Sequence, residues 1–125
     1  MTTRVETWGG TRVAICADEG PLLATAADVG DFLSEAWGHE ADWLVVPTAR
    51  MNPDFFGLRT GLAGEVTQKF ATYRTGLAVV GDISAAVAAS DALRDYVCES
   101  NRGRQVRFSP DIGALKAEFE TGRFQ

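Results

Sequence analysis

Two short runs in this chain are apolar at almost every position: WLVVPT at residues 43–48 and GLAVVG at residues 76–81. A strand with only one covered face alternates apolar and polar side chains. A strand without that alternation has both faces covered. These runs therefore predict central strands of a parallel sheet, with Pro47 closing the first. Parallel neighbours need a long crossover between them, and a helix is the usual one.

The intervening sequence supplies helices. Thr25 can cap an N-terminus and Asp28 falls in the first turn, where the helix dipole favours an anion. Val29, Phe32, Leu33, Ala36 and Trp37 follow at helical spacing, and Gly38 offers a left-handed stop. After the first central strand, Asn52-Pro53-Asp54 opens a second helical stretch with Pro in the first turn. Its stripe is Leu58, Leu62, Val66, Phe70 and Tyr73, interrupted by Gly57, Gly61 and Gly64. Each glycine costs a helix about 1 kcal/mol relative to alanine. The expected result is a broken start: a short turn over 54–58, then the main helix from near Thr60.

The ends of the chain complete the pattern. Residues 4–8 and 12–17 read as strands joined at Gly9-Gly10, a hairpin signal because both glycines accept positive φ. Residues 82–89 read as a loop or weak helical turn. Ser90-Asp91 starts a helix with Leu93, Tyr96 and Val97 inward, and Gly103 ends it. Residues 104–108 alternate, with Val106 and Phe108 on one face and Gln105 and Arg107 on the other, as in an edge strand guarded by charge. Ser109-Pro110-Asp111 caps a last helix carrying Ile112, Leu115 and Phe119, and Gly122 stops it. The reading is one α/β domain over residues 1–125. Its order is ββαβαβαβα, a mixed, mostly parallel sheet of about five strands with four helices.

Composition narrows the function classes. Twelve basic against seventeen acidic residues give a formal charge of −5. That balance opposes nucleic-acid binding, which depends on neutralising phosphates. No segment approaches the roughly 20 apolar residues of a membrane helix. Met1-Thr2-Thr3-Arg4 leads straight into a strand pattern with no apolar signal region, so a cytoplasmic location is expected. Cys16 and Cys98 are far apart in sequence and read as reduced packing residues.

Catalytic and metal chemistry lack parts. His39 is the single histidine, set in a polar turn, and neither cysteine has zinc-ligand spacing. The segment GLRTGLAG at 57–64 is glycine-rich but matches neither phosphate-loop pattern, and Lys69 comes too late to hold a phosphate. No cofactor and no catalytic residue is expected. Glu65 and Asp82 are candidate polar groups, and Asp82 follows a central strand, where α/β folds place ligands. Its bland role is a loop cap. Asp54-Phe55-Phe56 is unusual, because two adjacent aromatics cannot both point inward from one helical turn. Either one lines an exposed groove or loop geometry buries both. Arg102, Arg104 and Arg107 form a basic cluster whose simplest role is solvation.

The stretches DFFGLRTGLAGEVTQKFATYRTGLAVVGDIS (54–84) and LRDYVCESNRGRQVRF (93–108) closely resemble the bacterial domain-of-unknown-function family numbered 4180. That resemblance spans nearly the whole chain and implies no established activity. More widely, the pattern resembles the STAS fold of anti-sigma-factor antagonists. There, a Ser-Ser-Gly-Leu-type turn stands between a strand and a helix, and Arg59-Thr60-Gly61-Leu62 holds that place here. In the antagonists the hydroxyl residue before the glycine is phosphorylated, so the resemblance implies Thr60 as the switch. Two differences stand out: Thr replaces Ser, and Arg59 replaces a small residue. The acidic residue expected just before the turn is also missing, unless Asp54 substitutes.

The leading expectation is a non-enzymatic, STAS-like binding or regulatory module. Its phospho-switchable face would combine Asp54, Phe55, Phe56, Arg59, Thr60 and Asp82 and engage a protein partner. The alternative is a small-molecule binder or minor enzyme with a pocket between the second helix and the sheet. A third reading is self-association, a homodimer through the aromatic pair.

Overall fold

A computed structural model of the chain describes residues 3–121. It contains one five-stranded sheet in the sequential order β1-β2-β3-β4-β5. The strands are β1 (Thr3–Trp8), β2 (Thr11–Cys16), β3 (Trp43–Pro47), β4 (Gly76–Val80) and β5 (Val106–Ser109). β1 and β2 form an antiparallel hairpin, and every later pairing is parallel. Gly9 and Gly10 both have positive φ (55° and 85°), as a two-residue hairpin turn with right-handed twist requires.

The helices are α1 (Val29–Gly38), α2 (Leu62–Thr72), α3 (Ser84–Ala89), α4 (Asp91–Arg102) and α5 (Ile112–Glu120). The order is thus ββαβαβααβα, with five helices where four were expected. Residues 82–89, read as a loop or weak helical turn, contain the six-residue α3. It is all Ser, Ala and Val, and too short for a helical stripe to register in the sequence.

Because the strands add in sequence order, right-handed crossovers place successive helices on one side of the sheet. One core cluster joins Ala14, Leu44, Val46, Leu77, Val79, Val106 and Phe108 of the sheet to Val29, Phe32, Leu33, Val66 and Phe70 of α1 and α2. The opposite face carries Val13, Ile15, Trp43, Val45, Ala78 and Val80, covered by Leu115 and Phe119 of α5 and by Trp8. β3 and β4 lie between the two clusters, which is why their runs are continuously apolar.

Several expectations need correction. Trp37 and Tyr73 are not core residues. They are about half exposed and stack edge to face at 5.4 Å, while the Trp37 indole N–H donates to Thr75 Oγ1 at 3.2 Å. The amphipathic rings sit where a polar tip can reach a partner, which helical spacing alone does not reveal. Gly38 is not the left-handed stop of α1; Glu40, at φ 56°, takes that conformation. Cys98 is exposed, whereas Cys16 is a buried packing residue; neither is in a disulfide. The arginine trio is split. Arg102 is exposed beside Glu99, while Arg107 is buried, donates to the Asn101 carbonyl and lies 3.6 Å from Glu118. The helix stop assigned to Gly122 lies outside the described residues.

Candidate functional site

The segment between β3 and α2 is built from short turns because its sequence resists a continuous helix. Asn52 caps the first turn (Pro53–Phe56) by accepting the Asp54 N–H at 2.8 Å. A second turn spans Leu58–Thr60, and Gly61, left-handed at φ 77°, breaks the chain before α2. The broken start expected from the three glycines is present, with α2 beginning at Leu62.

Thr60 ties these turns together. The residue is exposed. Its hydroxyl donates toward the carbonyl oxygens of Asp54 (2.8 Å) and Gly57 (2.9 Å) and accepts the Leu62 N–H at 3.2 Å. The Leu62 amide is one of the free donors at the start of α2. One side-chain oxygen therefore links both turns to the first amide of α2.

The other residues divide. Asp54 and Arg59 are exposed beside Thr60. Phe55 is completely buried in the core, 6.3 Å from the Phe108 ring. Phe56 is half-buried, packs against the core and meets Phe55 edge to face at 5.3 Å. The conflict between adjacent aromatics is resolved by burying one and leaving the other at the margin.

Asp82 belongs to a different depression. It is exposed just past β4, and its Oδ1 accepts the Ser84 N–H at 2.9 Å. Hydrogen bonds from the Ser84 side chain and backbone lower its pKa below the ordinary Asp value. Asp82 thus acts as the loop cap ahead of α3. It also lines a groove of about 280 Å³ at the carboxyl ends of β4 and β5, with Ile83, Val87, Val97, Phe108 and Pro110 as apolar walls. None of residues 54–60 lines that groove.

A further depression of about 430 Å³ lies at the carboxyl ends of β2, β3 and β4, bordered by Arg4, Cys16, Asp18, Thr48 and Gly81. Over the middle of the sheet α2 buries Leu62, Ala63, Val66 and Phe70, while toward β5 its Thr67, Gln68 and Ala71 border an open depression of about 350 Å³ shared with Tyr96 and Val106. Glu65 is exposed in the first turn of α2. His39 lies 3.8 Å from Glu35 near the end of α1. Among the described residues, no group of three His, Cys, Asp or Glu side chains is arranged to hold a metal ion. No helix among them is long and apolar enough to cross a membrane.

Sequence reasoning missed Arg50. It is 3% exposed, in a short turn after β3, and donates to the carbonyls of Pro21 (2.6 Å), Ala17 (3.0 Å) and Glu19 (3.3 Å). Its guanidinium lies 5.1 Å from the Phe32 ring centroid. The one signal available was an arginine three residues past a fully apolar strand.

No curated protein and no solved structure matches the chain. Residues 8–119 match the family described as domain of unknown function (DUF4180), and the chain belongs to that family.

Proposed function

We propose that this chain is a non-enzymatic binding and regulatory module of STAS-like architecture, switched at Thr60. The carrying observation is Thr60, an exposed residue whose hydroxyl is bonded to Asp54, Gly57 and Leu62 at the start of α2. A phosphate ester there would remove the O–H donor, leaving the Asp54 and Gly57 carbonyls only the backbone N–H groups of Gly57 and Thr60. It would also add about −1.5 to −2 charge at a helix N-terminus, beside Arg59. The face formed by Asp54, Phe56, Arg59 and Thr60 would change in shape and charge together, with Phe55 supporting it from the core. The sequential strand order and the antiparallel hairpin at one edge support the STAS-like reading. Two unbridged cysteines support a cytoplasmic setting.

The test is affinity capture from extracts of the source organism, with folding checked by circular dichroism. A stoichiometric protein partner should bind the wild type and be lost on Phe56→Ala and Thr60→Glu, while Thr60→Ser retains it. A partner held equally by all variants, or no partner at all, removes the docking role. Mass spectrometry that finds Thr60 unmodified in cells removes the switch.

A small-molecule reading draws on the groove beside Asp82, at the strand ends where α/β folds hold ligands. A fragment screen by thermal shift, with hits abolished by Val97→Trp, would favour it over protein docking.

A further inference from the structure

The two edges of the sheet are finished differently. At β5, the Asn101 side chain takes the place of a neighbouring strand: its Oδ1 accepts the Phe108 N–H at 2.8 Å and its Nδ2 donates to the Phe108 carbonyl at 3.3 Å. That edge is closed at its centre. At β1, no strand among the described residues pairs with the outer side. An unfinished edge is a template for another strand.

The hairpin fixes which β1 groups face outward. In a two-residue turn the flanking residues, Trp8 and Thr11, exchange backbone hydrogen bonds. The alternation then assigns Glu6 and Arg4 to the ladder with Val13 and Ile15. The N–H and C=O groups of Thr3, Val5 and Thr7 point away from β2. Arg4, Glu6 and Trp8 share the face covered by α5: Arg4 Nε lies 3.2 Å from Glu6 Oε2, and the Trp8 indole donates to Glu6 Oε1 at 2.8 Å.

We infer that β1 is a homodimerisation edge, pairing antiparallel with β1 of a second copy about a two-fold axis at Val5. In that register Val5 faces Val5 and Thr3 faces Thr7, so every outward amide and carbonyl of one copy meets its complement in the other. Arg4 faces Glu6, in the non-hydrogen-bonded positions where side chains approach most closely. Moving the axis by one residue stacks Arg4 on Arg4 or Glu6 on Glu6, so charge selects the Val5 axis. The interface is isologous and closed, and the sheet runs continuously through both copies. The half-buried Val5 side chain gains cover on the α1 side. This edge is separate from the Thr60 face, and the two proposals stand or fall independently.

Sedimentation analysis over micromolar to millimolar concentration tests the pairing. The wild type should form dimers. Val5→Pro deletes an outward donor that β2 does not use, so it should give monomers with an unchanged circular dichroism spectrum. Arg4→Glu and Glu6→Arg should each weaken dimerisation by roughly tenfold or more. An equimolar mixture of those two variants should restore it, because the opposite charges then face one another. A wild type that stays monomeric throughout overturns the inference. A dimer that survives Val5→Pro and both charge variants also overturns it, including one lost only on Phe56→Ala.

Discussion

Arg50 Nε donates to the carbonyl oxygen of Pro21 at 2.6 Å, and through that bond a buried cation holds the segment after β2 against the turn after β3. The same two segments also pair by backbone, with Leu23 N–H bonded to the Arg50 carbonyl at 2.7 Å. Carbonyl oxygens satisfy the guanidinium where carboxylates would be usual, and the Phe32 ring packs against it. Arg50→Ala would remove the one buried donor shared by the carbonyls of Pro21, Ala17 and Glu19 and leave a hole where the guanidinium packs. It should lower unfolding stability by about 3 kcal/mol, measured by urea titration. Arg50→Lys should recover little, since one ammonium cannot reproduce the planar fork. Wild-type stability in Arg50→Ala would show that water replaces the guanidinium at no loss.

The hairpin turn yields a graded prediction. Gly9 and Gly10 are both left-handed, but a Cβ on Gly9 would also run into the Phe119 carbonyl of α5, while one on Gly10 meets open space. Gly10→Ala should cost roughly 1 kcal/mol from backbone strain alone. Gly9→Ala should cost roughly 3 kcal/mol, because α5 must shift as well. Equal thermal shifts for the two variants would mean that α5 yields freely at this point.

Much of this architecture is legible in the sequence because each signal has one physical source. The continuous runs at 43–48 and 76–81 mark strands covered on both faces, and β3 and β4 are those strands. Ser90 and Asp111 announce the caps of α4 and α5, and each accepts a backbone N–H there. What escapes is set by tertiary context. Arg50 looks like a surface residue until the segment after β2 folds over it. Phe55 and Phe56 are equivalent in sequence, and only the turn geometry buries the first and leaves the second at the margin. Asn101 gives no hint that it finishes an edge strand, since the pairing depends on where α4 crosses β5.

The two thiols should differ sharply in reactivity. Cys16 is buried at the end of β2, and burial pushes its pKa up to about 11, against a smaller opposing effect of Arg50. Cys98 is exposed on α4. Alkylation by iodoacetamide in native buffer near neutral pH should label Cys98 alone, and denaturant should expose Cys16. Peptide mapping by mass spectrometry reads both. Native labelling of Cys16 at the Cys98 rate would show that the segment after β2 opens often.

Stability should also fall in acid, and Asp28 is one identifiable cause. Its carboxylate accepts the N–H groups of Ala24 at 3.0 Å and Thr25 at 2.9 Å ahead of α1. Those bonds, Ala24 first, lower its pKa in the folded state. An unfolded Asp titrates at about 3.9, so on acidification the unfolded chain takes up this proton first. The contribution is therefore present above the unfolded pKa and is lost as pH falls through the lower folded value. Asp82, through Ser84, and Glu6, chiefly through the Trp8 indole, act in the same direction. Urea midpoints should stay level above about pH 5 and decline below it. Asp28→Asn cannot titrate, so it should start lower at neutral pH and show a shallower decline in acid. An acid limb as steep as the wild type's would mean that Asp28 contributes nothing to the pH dependence and that other carboxylates carry it.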